Sequence, residues 1–181
     1  MQTTPDLPLI PGHWALDTNH VNVAFAVRHL GVAKVRGRFT DVDVDVTVGE
    51  TLADTTVAAT VQLASIDTGH PDRDAHCRAA DMIDVATRPT LTFRSTGIRA
   101  DGDDWILDGD VTIGDVTTPV SLAVELGGIE AVPTGGPRHA GFELTGELRR
   151  SDFGIAAGVP AALHGDVIKL QLDLELLEPE G

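Results

Sequence analysis

Apolar side chains recur at every second position through most of this chain, and no other feature narrows so far what it can fold into. Val42, Val44, Val46 and Val48 alternate with Asp43, Asp45 and Thr47. Successive side chains of a strand point to opposite faces, so such a run has one dry face and one wet face. The same period appears at Val21/Val23/Phe25/Val27, Val57/Ala59/Val61/Leu63, Leu91/Phe93/Ser95 and Trp105/Leu107/Gly109/Val111/Ile113. It returns at Val120/Leu122/Val124/Leu126, Phe142/Leu144/Gly146/Leu148 and Ile168/Leu170/Leu172/Leu174/Leu176. Composition agrees: 19 Val, 19 Thr and 9 Ile stand against 2 Lys, and branched side chains suit a pleated surface. About eight strands follow, and the short Gly- and Asp-rich links between them make neighbours antiparallel. Phe39 has the wrong parity for the face of Val42. If Val35, Gly37 and Phe39 also point inward, a bend near Thr40 must reset the register.

One stretch, residues 70–85, has helical spacing instead. Pro71 suits a first helical position, and Asp72 and Asp74 suit a first turn, where the helix dipole favours negative charge. Pro89 restricts Arg88 and ends the excursion. One-sided strands with a single helix predict an all-β fold: an antiparallel eight-stranded barrel, closed so that no edge is exposed, with one main helix between strands three and four. The stretch 131–137 is expected to be a loop.

The length of 181 residues suits one domain. With 13 Lys and Arg against 28 Asp and Glu the formal charge is −15, which at long range disfavours nucleic acid and anionic membrane surfaces as partners of this acidic protein. The single Cys77 cannot form an internal disulfide and leaves no thiolate set for zinc or iron–sulfur. The first eleven residues lack a basic n-region and a long apolar run, and no stretch approaches the roughly 18 apolar residues of a spanning helix. A cytoplasmic, reducing setting without membrane insertion is therefore expected.

Several motifs together resemble the YceI-like family, lipocalin-like binders of polyisoprenoids. They are Trp14-Ala15-Leu16-Asp17-Thr18-Asn19-His20, Phe25-Ala26-Val27-Arg28-His29-Leu30-Gly31-Val32 and Val35-Arg36-Gly37-Arg38-Phe39. Ser65-Ile66-Asp67-Thr68-Gly69, Arg73-Asp74-Ala75-His76, Phe93-Arg94-Ser95-Thr96, Gly114-Asp115-Val116-Thr117-Thr118-Pro119-Val120 and Ser151-Asp152-Phe153-Gly154 follow in order. Each run is short, but the set in this order is specific. The resemblance implies a lipocalin-like barrel over residues 14–177, flanked by an N-terminal extension, 1–13, and a tail, 178–181. It also implies a hydrophobic tunnel for a long isoprenoid, an isoprenoid quinone or a similar lipid. Where the family usually has paired phenylalanines after the helix this chain has Met82-Ile83, and where it often has leucine after the helix histidine this chain has Cys77, so ligand preference is expected to differ.

Alternation alone does not separate a dry, filled core from a tunnel. If a tunnel exists, the expected ligand-lining set is Val23, Phe25, Val27 and His29 of the first strand, Phe39, Val61 and Leu63, then Leu91, Phe93, Trp105 and Leu107, and finally Leu122, Val124, Phe142, Leu144 and Leu170. About 500 Å² of buried isoprenoid would give on the order of 12 kcal/mol gross. His29 shares the Phe25/Val27 face near the strand's end and suits a ligand's polar head, although a bond to a backbone carbonyl is its plainer role. Arg28, Arg36 and Arg38 read as surface partners for carboxylates. In Ser151-Asp152-Phe153-Gly154, Asp152 is expected to fasten a turn and Phe153 to tuck inward.

The run His70-Pro71-Asp72-Arg73-Asp74-Ala75-His76 offers imidazoles and carboxylates, but three of them do not converge on a helix, and a solvated helix start is the preferred reading over a metal site. His76 and Cys77 diverge by about 100° and cannot pair. No nucleophile elbow, phosphate loop or dinucleotide fingerprint is present. A non-catalytic lipid carrier or store, needing no metal or organic cofactor, is preferred over an enzyme acting on an apolar substrate in the same tunnel. The expected partner is a long-chain isoprenoid or other lipid, and a homodimer is left open.

Overall fold

Residues 7–181 are described by a computed structural model. Residues 1–6 of the expected N-terminal extension lie outside the described residues. The strands are β1 (Gly12–His29), β2 (Ala33–Phe39), β3 (Val42–Val48), β4 (Thr56–Gln62), β5 (Ile66–Asp67), β6 (Thr90–Asp101), β7 (Asp104–Ile113), β8 (Val116–Glu130), β9 (His139–Arg149) and β10 (His164–Leu177); the helix α1 (Pro71–Arg78) lies between β5 and β6. Every pairing is antiparallel, and β10 returns to β1, closing the sheet. Because β2 and β3 pair with successive halves of β1, and β5 continues β4 alongside β2, the ten strands make eight staves. The chain is thus the closed eight-stranded antiparallel barrel that the alternation predicts. The break between β2 and β3 falls at Thr40, the place where parity required it.

Two ends follow from the strand directions. At the far end Trp14, Ala140 and Leu176 are almost fully buried together with Leu9, Val44, Val46 and Val48, and the Trp14 indole donates to the Ile10 carbonyl (3.0 Å). This cluster plugs the barrel. At the near end lie α1, the turns of residues 79–88 and a long loop of residues 150–163.

The helix is shorter than the predicted 70–85 stretch. It stops at Arg78, and Ala79 is already extended. Beyond it the Arg88 guanidinium donates to the carbonyls of Ile83 (3.0 Å), Met82 and Phe153, which holds residues 79–88 in turns against the 150–163 loop. Charge-assisted bonds from one buried-side cation satisfy carbonyls that a longer helix would have paired internally.

The 150–163 loop is organised by Arg150, a buried arginine at 7% exposure. It donates to the carbonyls of Gly165 (3.2 Å), Ile155 (3.3 Å), Ala156 (2.9 Å), Val159 (2.9 Å) and His164 (2.9 Å). Phe153 tucks inward as predicted, but the fastening acid is Asp166, not Asp152: its carboxylate accepts from the Ser151 N–H and hydroxyl, both at 2.9 Å. Asp152 is exposed, because the short 3₁₀ turn of residues 150–153 points it outward.

Arg150→Met keeps bulk but leaves five carbonyls without their charged donor. It should lower the unfolding free energy by about 3 kcal/mol or more, read from urea denaturation midpoints. An unchanged midpoint would mean that packing alone holds the loop.

Candidate functional site

The inward faces of the strands do not meet everywhere. Two adjacent apolar compartments remain inside the barrel, an outer one of about 200 Å³ at the near end and an inner one of about 120 Å³ at mid-barrel. Phe25, Phe39, Leu91, Leu148 and Leu170 line both and form the waist between them. The Phe25 and Phe39 rings sit 5.5 Å apart, tilted by 37°. Glycine makes room for these rings. A Cβ on Gly37 would lie 2.5 Å from the Phe25 ring, and one on Gly109 would lie 2.4 Å from the Phe93 ring, so each ring can lie against the wall instead of filling the bore.

Of the predicted lining set, Val23, Phe25, Val27, Phe39, Val61, Leu63, Leu91, Phe93, Leu107, Leu122, Leu144 and Leu170 face one or both compartments. Trp105, Val124 and Phe142 do not. Trp105 and Val124 are cross-strand neighbours beyond the inner compartment, and Phe142 packs toward the far-end plug. The bore ends before reaching them.

His29 lies at the near end but not on the lining. Its ring packs against that of His164, tilted by 41° with centroids 5.4 Å apart, and His164 is the imidazole that faces the outer compartment. Two extra residues of β10 between Ile168 and His164 bring the two rings together; His164 keeps the inward parity of Ile168 and Leu170 but stands in a Gly- and Asp-containing link that reads as a turn. Neither imidazole hydrogen-bonds to a described residue. Burial, followed by the charges of His29, Arg150 and His76, holds His164 below the usual imidazole range. Ser95, the other polar side chain with inward parity, is occupied: its hydroxyl accepts from the Val57 N–H (2.8 Å) at a bulge in β6.

The outer compartment reaches solvent past Arg28, Arg73 and His76, all exposed. Beyond the inward Phe153, sequence reasoning did not foresee its rim, which comes from segments without strand periodicity: Cys77 in α1, Met82 and Ile83 after it, and Phe153, Ile155 and Ala156 of the loop. Only the departures at Cys77 and Met82-Ile83 hinted at them. Burial, and then the Asp74 carboxylate, push the Cys77 thiol above its ordinary range, which keeps it protonated at neutral pH and unsuited to act as a nucleophile.

The ligand-type side chains at the start of α1 bond elsewhere. His70 caps the helix, accepting from the Arg73 N–H, and His76 meets Asp81 (3.2 Å). Asp74 is not the solvated acid expected. It is buried and accepts from the Thr68 N–H (2.8 Å) and hydroxyl, which holds its carboxyl below the usual range. A different group, Asp17, His20 and Glu175, places ligand-type atoms within 4.8 Å of one another on the outer wall. Both carboxylates already have partners: His20 bonds Asp17 (2.7 Å), and His139 bonds Glu175.

The YceI-like domain is matched over residues 14–176 of this chain. Protein YceI of Escherichia coli O17:K52:H18 is 40% identical over 151 residues, covering 82% of this chain and 78% of that protein. The crystal structure of the Campylobacter jejuni YCEI protein superposes with a TM-score of 0.74 at 28% identity, covering 84% of this chain and 90% of that one. A polyisoprenoid binding domain from Saccharophagus degradans shares the fold, with a TM-score of 0.63 at 15% identity over 94% of this chain and all of that one. Among the described residues no helix is long and apolar enough to cross a membrane.

The depressed His164 pKa has a definite pH signature. The unfolded chain takes up this proton near the ordinary value of 6.5, and the native state does so only at lower pH. Between the two the unfolded state binds more protons, so stability falls as pH drops below about 6.5. His164→Gln should flatten that part of the stability curve, measured by denaturant unfolding across the window. Parallel curves for wild type and variant would show that His164 titrates alike in both states.

Proposed function

The chain belongs to the YceI-like family, and from that premise we propose that it is a non-catalytic carrier or store for a long amphiphilic lipid, a polyisoprenoid or isoprenoid quinone held tail-first in the barrel. One observation carries the reading: an apolar bore that opens beside α1 and is plugged at the opposite end. Its compartments together fall at the low end of the roughly 300–1,000 Å³ common for small-molecule sites, which suits a slender tail. Met82, unbranched and polarizable, is the lining side chain best able to yield to a longer one.

Apolar burial supplies affinity but little discrimination, since an added or missing methylene changes the energy only modestly. Head-group selection then falls to the rim. The His164 and His29 rings are free to hydrogen-bond a carbonyl or hydroxyl, whereas Arg150 spends its donors on the loop. The enzymatic alternative needs converging titratable groups at the reacting centre, and the protonated Cys77 thiol offers no such nucleophile.

Mass spectrometry of an organic extract from gently purified protein should release a long apolar molecule in near-stoichiometric amount. Val27→Trp should fold, fill the outer compartment and lose that molecule, while Asp43→Asn on the wet face of β3 should keep it. Full ligand occupancy in folded Val27→Trp would overturn the proposal. His29→Ala and His164→Ala should narrow the affinity gap between a quinone and the matching hydrocarbon, measured side by side. Equal losses for both ligands would remove the rim histidines from recognition.

A further inference from the structure

The turn joining β1 to β2 breaks the usual rules for such a turn. Val32 donates to the His29 carbonyl (3.1 Å), and the two central residues, Leu30 (φ 53°) and Gly31 (φ 69°), are both left-handed. That geometry is best filled by Asn-Gly, because an L-residue with a bulky side chain is strained there. Leu occupies it nonetheless, and its side chain gains no burial in return: Leu30 is 54% exposed and Val32 is 81% exposed. Leu163, whose carbonyl accepts from the Leu30 N–H (2.9 Å), adds a third exposed apolar side chain from the neighbouring loop at 39%. A local rule broken without a folding gain points to function.

Charge is distributed with equal bias. Of the 13 Lys and Arg, only Arg38, Arg94, Arg99 and Arg138 lie toward the middle or far end of the barrel. Four of the others stand together on the outer wall behind the turn: Arg28 faces Lys34 across β1–β2, and Ala26 brings Arg36 on one side and Lys169 on the other. Arg38 in the same strand is paired with Asp67 (3.3 Å), and Arg149 with Asp166. Arg28, Lys34, Arg36 and Lys169 have no ion-pair partner among the described residues. Glu147 stands opposite Lys169 in register, and one carboxylate against four cations leaves the patch net positive in a chain of −15.

We propose that this rim docks the open end of the barrel on an anionic lipid bilayer, Leu30, Val32 and Leu163 entering the interface and the four cations meeting lipid phosphates. Unpaired cations flanking an exposed apolar tip are the complement of such a surface, which presents negative charge over an apolar layer. Exposed Asp72, Asp81, Asp115 and Asp152 stand at the same end, on and around α1 and the loops, so the attraction is confined to the patch on β1, β2 and β10 beside the turn. Strands of ten or more residues, at about 3.3 Å each, put the far-end carboxylates more than about 30 Å away, several times the screening length of about 8 Å at physiological salt. Arg28 itself lines the outer compartment, so the docked surface would surround the aperture. The proposal takes its purpose, loading from a membrane, from the carrier reading, but its observations are independent of it.

Flotation of the full chain with vesicles tests it. Binding should be strong to phosphatidylglycerol mixed into phosphatidylcholine, weak to phosphatidylcholine alone, and should fall as salt rises. Arg28→Glu with Arg36→Glu should weaken it by roughly tenfold or more. Leu30→Asn should weaken it while keeping or raising thermal stability, since Asn relieves the left-handed position, so lost binding cannot be blamed on unfolding. Equal binding to both vesicle types, or unaltered binding by these variants, would overturn the proposal. Dimers in sedimentation equilibrium that Leu30→Asn dissociates would also overturn it, assigning the tip to a second copy of the chain. A lipid found in the extract without vesicle binding sinks the docking proposal alone; vesicle binding with an empty barrel sinks the carrier reading alone.

Discussion

Everything in this protein depends on the return of β10 to β1. Each stave is apolar on one face only, so a flat sheet would expose one face to water and two edges to other chains. The long β1–β10 ladder, from Ala15 opposite Leu177 to His29 opposite His164, removes the edges and turns all dry faces onto one axis. Closure at eight staves leaves a lumen that side chains can just fill. Whether it is filled then depends on individual residues. Trp14 and Leu176 fill the far end, while Gly37 and Gly109 let Phe25 and Phe93 retreat to the wall and keep the middle open.

The near end is built differently. It has few strand hydrogen bonds, and its irregular segments would bury unpaired carbonyls were it not for two arginines. Arg150 gathers the carbonyls of residues 155–165, and Arg88 ties residues 82 and 83 to Phe153. A rim held by side-chain donors can be shaped independently of the sheet. It carries the Cys77 and Met82-Ile83 substitutions without disturbing the staves.

The closed barrel, its eight staves, the bend at Thr40 and the helix between β4/β5 and β6 were all legible from period-two alternation and turn residues. The first half of β1 was not. Leu16 and Val21 have opposite parity because β1 bulges between them, five residues spanning the two that separate their partners, Leu176 and Leu174, so the pattern looks broken where the strand continues. His164 shares the inward parity of Ile168 and Leu170 but was hidden by Gly165 and Asp166, turn-type residues that mask the start of the strand. Twelve of the residues proposed as lining were recognisable because parity decides which face they occupy. The emptiness they enclose was not, because it depends on ring orientation against glycine and on where Trp105, Val124 and Phe142 pack. The rim was least legible, since loops held by arginine–carbonyl bonds leave no periodic trace.

A bore plugged at one end has a kinetic consequence. Nothing can pass through it, so uptake and release share one aperture and one set of rim residues. By microscopic reversibility, a change that only lowers the barrier at the aperture speeds loading and discharge equally. The barrel therefore cannot impose a direction on the traffic of its cargo. Net flow is set by the chemical potential of the lipid in whatever donor and acceptor the aperture meets, and only an acceptor that alters the rim could bias it.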